Sequence, residues 1–196
     1  MFRAQWRPAV LMTLVTCVVT GLIYPGIVTV TAQLLFPRQA NGSLVIANGR
    51  VAGSELIGQT FTRSDYFHSR PSAAGRGYDA TASSGTNKGP TDRTLADTLI
   101  ARAVINEMAL DGAERGRIPA DLVTASASGL DPDISPASAR LQVGRVARAR
   151  RLAEADVAAL VARHTQGRQF RFFGEPRVNV LMLNIALDSL SAARRP

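Results

Sequence analysis

The most marked feature of the hydrophobic pattern is a run from Ala9 to Phe36, "AVLMTLVTCVVTGLIYPGIVTVTAQLLF", with no charged residue in 28 positions. As a helix it extends roughly 42 Å at about 1.5 Å per residue, whereas a hydrocarbon core needs about 20 residues. Arg3 and Arg7 precede the run, and Trp6 and Tyr24 are amphipathic rings suited to an interface. A cleaved signal peptide is the alternative, with Val30, Thr31 and Ala32 as a passable cleavage site. Its apolar region would run only about 7 to 15 residues. Here the run continues through Leu34, Leu35 and Phe36, which favours a retained anchor. Pro25 and Gly26 mark a kink, or the point where the helix leaves the bilayer.

The pattern after the anchor changes period. Residues 37–42 read as a short polar linker, and the domain as residues 43–196. "SLVIANGRVAGSEL" places two β-prone runs around Asn48-Gly49, a dipeptide that takes positive φ cheaply in a hairpin turn. Residues 60–89 have little periodicity and many turn formers, so they read as a long ordered loop. A helix is expected from Thr91 or Asp92 to Leu110, with Leu95, Leu99, Ala103 and Ile105 to Met108 on its buried face. Ile118 to Ser126, "IPADLVTAS", reads as a strand. Ser135 caps a second helix that has Pro136 at its first position. A third helix spans Glu154 to Thr165, and Arg177 to Leu190 starts as a strand and finishes as a short helix. Alternating strands and helices give an α/β (or α+β) soluble domain tethered by one N-terminal transmembrane helix.

Charge refines this picture. The net charge is +8, and removing Arg3, Arg7 and Arg38 leaves +5 on the remainder, since no acid precedes them. Two arginines before the anchor against one close after it favour residues 1–8 on the cytoplasmic side and the domain outside. Lysine occurs once, at Lys88, and the arginines are interleaved with acids, which points to solubility and partner contact rather than nucleic acid. The one cysteine, Cys17, lies in the apolar run, so no disulfide framework exists. No metal-ligand spacing appears.

Three long blocks carry a resemblance: "RPSAAGRGYDATASSGTNKGPT" (Arg70 to Thr91), "DLVTASASGLDPDISPASARLQVGRVARARRL" (Asp121 to Leu152) and "FFGEPRVNVLMLNIALD" (Phe172 to Asp188). With the anchor, nearly the whole chain resembles the C subunit of the bacterial Kdp-type potassium-transporting ATPase. That resemblance implies a non-catalytic accessory subunit in the inner membrane. Its implied partners are a channel-like potassium subunit, a P-type ATPase subunit and a small single-helix subunit, besides membrane lipid. It also implies a catalytic-chaperone role that raises the affinity of the ATPase subunit for ATP, with ATP reached through the complex and no cofactor bound firmly. Ala127 stands where family members often have glycine, and Asp133 where they often have histidine.

Candidate site residues follow. On the second helix Gln142 and Arg145, spaced i and i+3, share a face, and the resemblance makes Gln142 the residue to connect with nucleotide. With Ser128, Gly129 and Asp131 they form a candidate nucleotide or partner contact. The turn from Ser126 to Ala139 reads as rigid turn chemistry compatible with docking: Gly129 for backbone freedom, Pro132 and Pro136 to fix φ, Asp131 and Ser135 to bond local amides. The rival is an anchored periplasmic hydrolase, or a binding protein unrelated to transport. It would need Ser126 or Ser128 activated by His164 and Asp131, but the G-x-S-x-G elbow is missing. Asn87 and Lys88, with Asp133, are candidate interface residues; "GTNKGP" does not match a P-loop. Glu175 and Arg177 are expected to pair. Asp65, Asp79, Asp131 and Asp133 are considered as a group that concentrates cations.

Overall fold

The computed structural model describes residues 2–47 and 49–193, with side chains from residue 5 onward. The chain divides into two units, Met1–Leu44 and Val45–Pro196. In the first, helix α1 (Phe2–Val18) passes through a π-helical turn (Val19–Ile23) into α2 (Tyr24–Leu35). Pro25 lacks an N–H and its ring crowds the carbonyl four residues back. The ladder widens just before it: the Tyr24 N–H donates to Val19 O, five residues earlier. The helix therefore continues through Pro25. Thr13 and Thr20 donate their hydroxyls to Ala9 O (2.9 Å) and Thr16 O (2.7 Å), so these polar groups are satisfied within the helix. The stretch Gln5–Leu35, 31 residues, is long and apolar enough to cross a membrane.

Residues 37–42, read from the sequence as a short polar linker, are partly helical. Pro37 opens α3 (Pro37–Ala40), and Asn41 Nδ2 donates back to Pro37 O at 2.6 Å. Pro at the first helical position costs nothing because that N–H has no intrahelical partner.

From the last residue of the first unit onward, β1 (Leu44–Ala47) and β2 (Arg50–Ser54) pair as a two-stranded sheet. Gly49 has φ +74°, as the hairpin turn requires; Asn48 lies outside the described residues. After the long loop, the next helix begins with a π-helical segment, Leu95–Ile100, and continues as α4 (Ala101–Asp111), ending on left-handed Gly112 (φ +66°). The expected strand at Ile118–Ser126 is absent. Its place is taken by short 3₁₀ turns, Arg115–Arg117 and Ala120–Leu122. Leu122 and Val123 donate back to Pro119 O and Ala120 O, local bonds that close turns rather than a ladder.

The core follows. β3 (Asp133–Ile134) leads into α5 (Pro136–Arg150), then α6 (Glu154–His164), β4 (Thr165–Gln166), β5 (Arg177–Asn179) and α7 (Val180–Ala193). β5 is central and antiparallel to both neighbours, with Ile134 opposite Val178 and Thr165 opposite the same Val178. A small antiparallel sheet with helices makes the domain α+β. Ala139, Val143, Val146 and Ala147 of α5 pack with Val157, Leu160 and Val161 of α6, Leu183 and Leu187 of α7, and Val178. Into this cluster the long loop inserts Phe67, fully buried. Phe67→Ala should lower the stability of the full chain in detergent by about 3–5 kcal/mol, read from its denaturant midpoint.

Candidate functional site

The residues around Phe67 carry the most unusual bonding in the molecule. Asn184 of α7 accepts the Phe67 N–H on Oδ1 (2.9 Å) and donates Nδ2 to Phe67 O (3.0 Å). Gln142 of α5 does the same one residue on, accepting the His68 N–H (2.7 Å) and donating to His68 O (3.1 Å). Two buried amides thus stand in for strand neighbours, meeting four backbone groups that no ladder reaches. Arg145, one turn after Gln142 on the same face, donates Nη1 to Ser64 O (2.7 Å) and Tyr66 O (2.8 Å), and Nη2 to Gln142 Oε1 (2.7 Å). Its Nε donates to Asp111 Oδ1 at 2.8 Å, an ion pair whose side chains are 6% and 1% exposed. Arg150 extends the clamp, donating to Asp65 O (2.7 Å) and Asp188 (2.6 Å) and lying over the Tyr66 ring.

Buried charge shapes titration here. Asp111 Oδ2 is buried with no hydrogen-bond partner among the described residues. Glu107 lies four positions earlier on α4, and burial, then the Asp111 charge, pushes its carboxyl up to about 7. Protonation of Glu107 relieves the repulsion between the two carboxylates. His68 Nε2 donates to Arg63 O (2.9 Å), and burial pushes its imidazole pKa down. Both line a cleft of about 380 Å³ together with Arg70, Tyr78, Arg102 and Asn106.

The turn from Ser126 to Ala139 is held on every side. Asp121 accepts the Ser135 N–H (2.7 Å) and the Ser138 hydroxyl (2.6 Å), and the Ser135 Oγ caps α5 by accepting the Ser138 N–H (3.1 Å). Ser128 Oγ accepts the Leu130 N–H, and its carbonyl accepts from Ser83 and Ser84. Gly129 has φ +68°, and a Cβ there would stand 2.5 Å from Ser84 O and 2.7 Å from Ala74 N. Asp131 takes Arg70 Nη1 (2.8 Å) on one oxygen and the Asp133 N–H (3.1 Å) on the other. Asp133 pairs with Arg177 at 3.0 Å.

These placements sort the sequence expectations. Gln142 and Arg145 do share a face, but it points inward: they are 0% and 7% exposed. Ser128, Gly129, Asp131 and Asp133 come together in the turn, apart in the bonding pattern from Gln142 and Arg145. Lys88 pairs with Asp92 at 2.9 Å, and Asn87 takes positive φ (+52°) beside it. The expected Glu175–Arg177 pair does not form; Glu175 takes Arg168 (2.8 and 2.7 Å), because Arg177 faces Asp133 across the sheet. His164 Nδ1 bonds Leu160 O (3.0 Å) and Asp131 is committed to Arg70, so neither supports a serine nucleophile. Asp65, Asp131 and Asp133 are each paired with an arginine and Asp79 with Thr81, which removes the basis for a cation-concentrating group. Sequence reasoning missed Glu107, and also Asp111, His68 and Asn184, whose partners are remote in the chain.

The profile of the family described as "KdpC: K+-transporting ATPase, c chain" matches residues 6–189. The "Potassium-transporting ATPase KdpC subunit" of Gemmatimonas aurantiaca is 66% identical over 95% of this chain and 93% of its own length. The proteins of that name from Methylococcus capsulatus and Acidobacterium capsulatum are 56% and 55% identical, over 95% and 94% of this chain and 98% and 97% of theirs. The chain belongs to this family. It is therefore a subunit of a potassium-transporting ATPase, a membrane-associated transport protein whose partners are ATPase subunits.

Two predictions follow from the clamp. Arg145→Ala leaves Asp111 buried without its counter-charge and should cost about 3–5 kcal/mol in the denaturant midpoint. Glu107 has a folded pKa of about 7 against 4.5 unfolded, so its stabilisation is fully present below pH 4.5 and is lost as pH rises through about 7. Thermal midpoints of the wild type should fall across that window relative to those of Glu107→Gln.

Proposed function

We propose that the chain is a non-catalytic accessory subunit that assembles the potassium-transporting ATPase, with its N-terminus cytoplasmic and residues 43–196 outside the membrane. The observation that carries this reading is the amount of apolar surface left uncovered on ordered elements. Leu44, Ile46 and Val51 of the β1–β2 hairpin are 52%, 70% and 62% exposed, and Ile105 and Met108 of α4 are 64% and 42% exposed. Surfaces of this kind mark contact with other chains. The partners it fits are those the family resemblance implies: the channel-like subunit, the P-type ATPase subunit and the small single-helix subunit.

The chaperone effect on ATP affinity is then transmitted through the membrane subunits. Gln142 and Arg145 are bonded to backbone of their own chain, which supports a structural part for them over direct contact with nucleotide. The arginine bias around the span supports a domain on the side opposite to ATP.

Two measurements test the reading. Single cysteines at Ser43 and Ser191 in a Cys17→Ser chain should react with an impermeant thiol reagent in spheroplasts; reaction only from the cytoplasmic face overturns the orientation. Ile46→Glu and Ile105→Glu should reduce the ATPase subunits recovered with the chain in detergent, while changing its own stability by no more than about 0.5 kcal/mol. Undiminished recovery with both changes overturns assembly through these faces.

A further inference from the structure

We propose that the tip of the β4–β5 connection, residues 167–175, dips into the lipid surface as a second anchor for the domain. Phe170, Phe172 and Phe173 are 82%, 65% and 58% exposed. Three of the chain's seven phenylalanines are thus gathered in four positions where none contributes to the core. The backbone is built to hold them out. Phe170 and Arg171 both take left-handed φ (+50° and +70°), a conformation disfavoured for side chains of this size. Gln169 and Phe173 exchange both backbone hydrogen bonds at 2.9 Å, and Arg168 binds both oxygens of Glu175 below them.

Lipid suits this tip for three reasons. Backbone entering an apolar phase must satisfy its polar groups internally, and the Gln169–Phe173 exchange does so at the root of the rings. Arg171 sits between Phe170 and Phe172 and makes no ion pair among the described residues; an arginine there can keep its charge among anionic headgroups while its stem lies along the rings. The tether keeps the start of β1 near a bilayer surface, since the eight residues 36–43 between it and the span extend no further than roughly 30 Å. Confinement of this sort raises the effective concentration of the tip at the bilayer and lets a small apolar tip bind. The inference rests on residues 5–35 being embedded, and is independent of the faces proposed for assembly.

The test uses the full chain, Cys17→Ser, in vesicles of phosphatidylethanolamine and phosphatidylglycerol, carrying a nitroxide at Phe170→Cys or, separately, at Val28→Cys. Collision with oxygen over collision with a water-soluble nickel chelate reports immersion. The label at 170 should favour oxygen, as the label at 28 does, and should shift to favour the chelate when Phe172→Ser and Phe173→Ser are added. If the label at 28 is immersed while that at 170 favours the chelate, the tip is not a lipid anchor and the proposal is overturned with the span intact. Protection of 170 from both reagents only when the other ATPase subunits are present overturns it in favour of a protein contact. A label at 28 that favours the chelate overturns the embedded span, and this inference with it.

Discussion

The second unit depends on a buried ion pair that does not belong to its hydrophobic core. Arg145 and Asp111 join α5 to the end of α4, and the remaining donors of the same guanidinium fix the backbone at Ser64 and Tyr66. Desolvating two charges is costly, and the attraction between them offsets that cost only when further hydrogen bonds complete the geometry. Gln142 and the two loop carbonyls supply those bonds. The loop in turn obtains its position from the arginine, so helix and loop are ordered together. This arrangement adds to the Asn184 bonds and the apolar packing that hold Phe67 in the core, in a segment, residues 60–92, that contains no helix or strand of its own.

Amides complete what the charge begins. A segment in a protein interior normally satisfies its backbone by pairing with a strand, and the loop around Phe67 and His68 has none. Asn184 and Gln142 each present an acceptor and a donor at the spacing of a peptide group, so a side chain from each of two helices replaces a strand neighbour. The substitution is unforgiving: a carboxylate can accept but not donate, and an aliphatic residue can do neither, leaving buried groups unsatisfied at about 1–3 kcal/mol each. Burial of this kind also explains why two polar residues on one helical face need not mark a ligand site.

The sequence made local structure legible and long-range structure illegible, for the same reason. Ser135-Pro136 announces the start of α5, because a cap acts within a few residues. Proline and aspartate before Leu122 carry turn information that a β-prone run obscured, so a strand was expected where 3₁₀ turns form. The clamp was hidden for a different reason. Gln142 lies 74 positions from His68, and Asn184 lies 117 from Phe67. A glutamine and an arginine on a helix read as a solvated face unless the remote partner is known. The turn from Ser126 to Ala139 was legible as turn chemistry, yet its partners Arg70, Ser83 and Ser84 were not.

The position of the bonds also bears on the proposed effect on ATP use. The clamp makes α5, the loop and the end of α4 one mechanical body, since Arg145 is bonded to all three. The uncovered side chains Ile105 and Met108 belong to that same α4. A partner that seats on α4 therefore meets a surface whose orientation is set by a buried charge pair rather than by flexible side chains. With the orientation and role proposed above, rigid coupling would let a binding energy gained on this face favour one conformation of a partner subunit, which is all that a change in its ATP affinity requires. Direct contact with nucleotide is not needed for such an effect, and residues as deeply committed as Gln142 and Arg145 act better as its fixed frame.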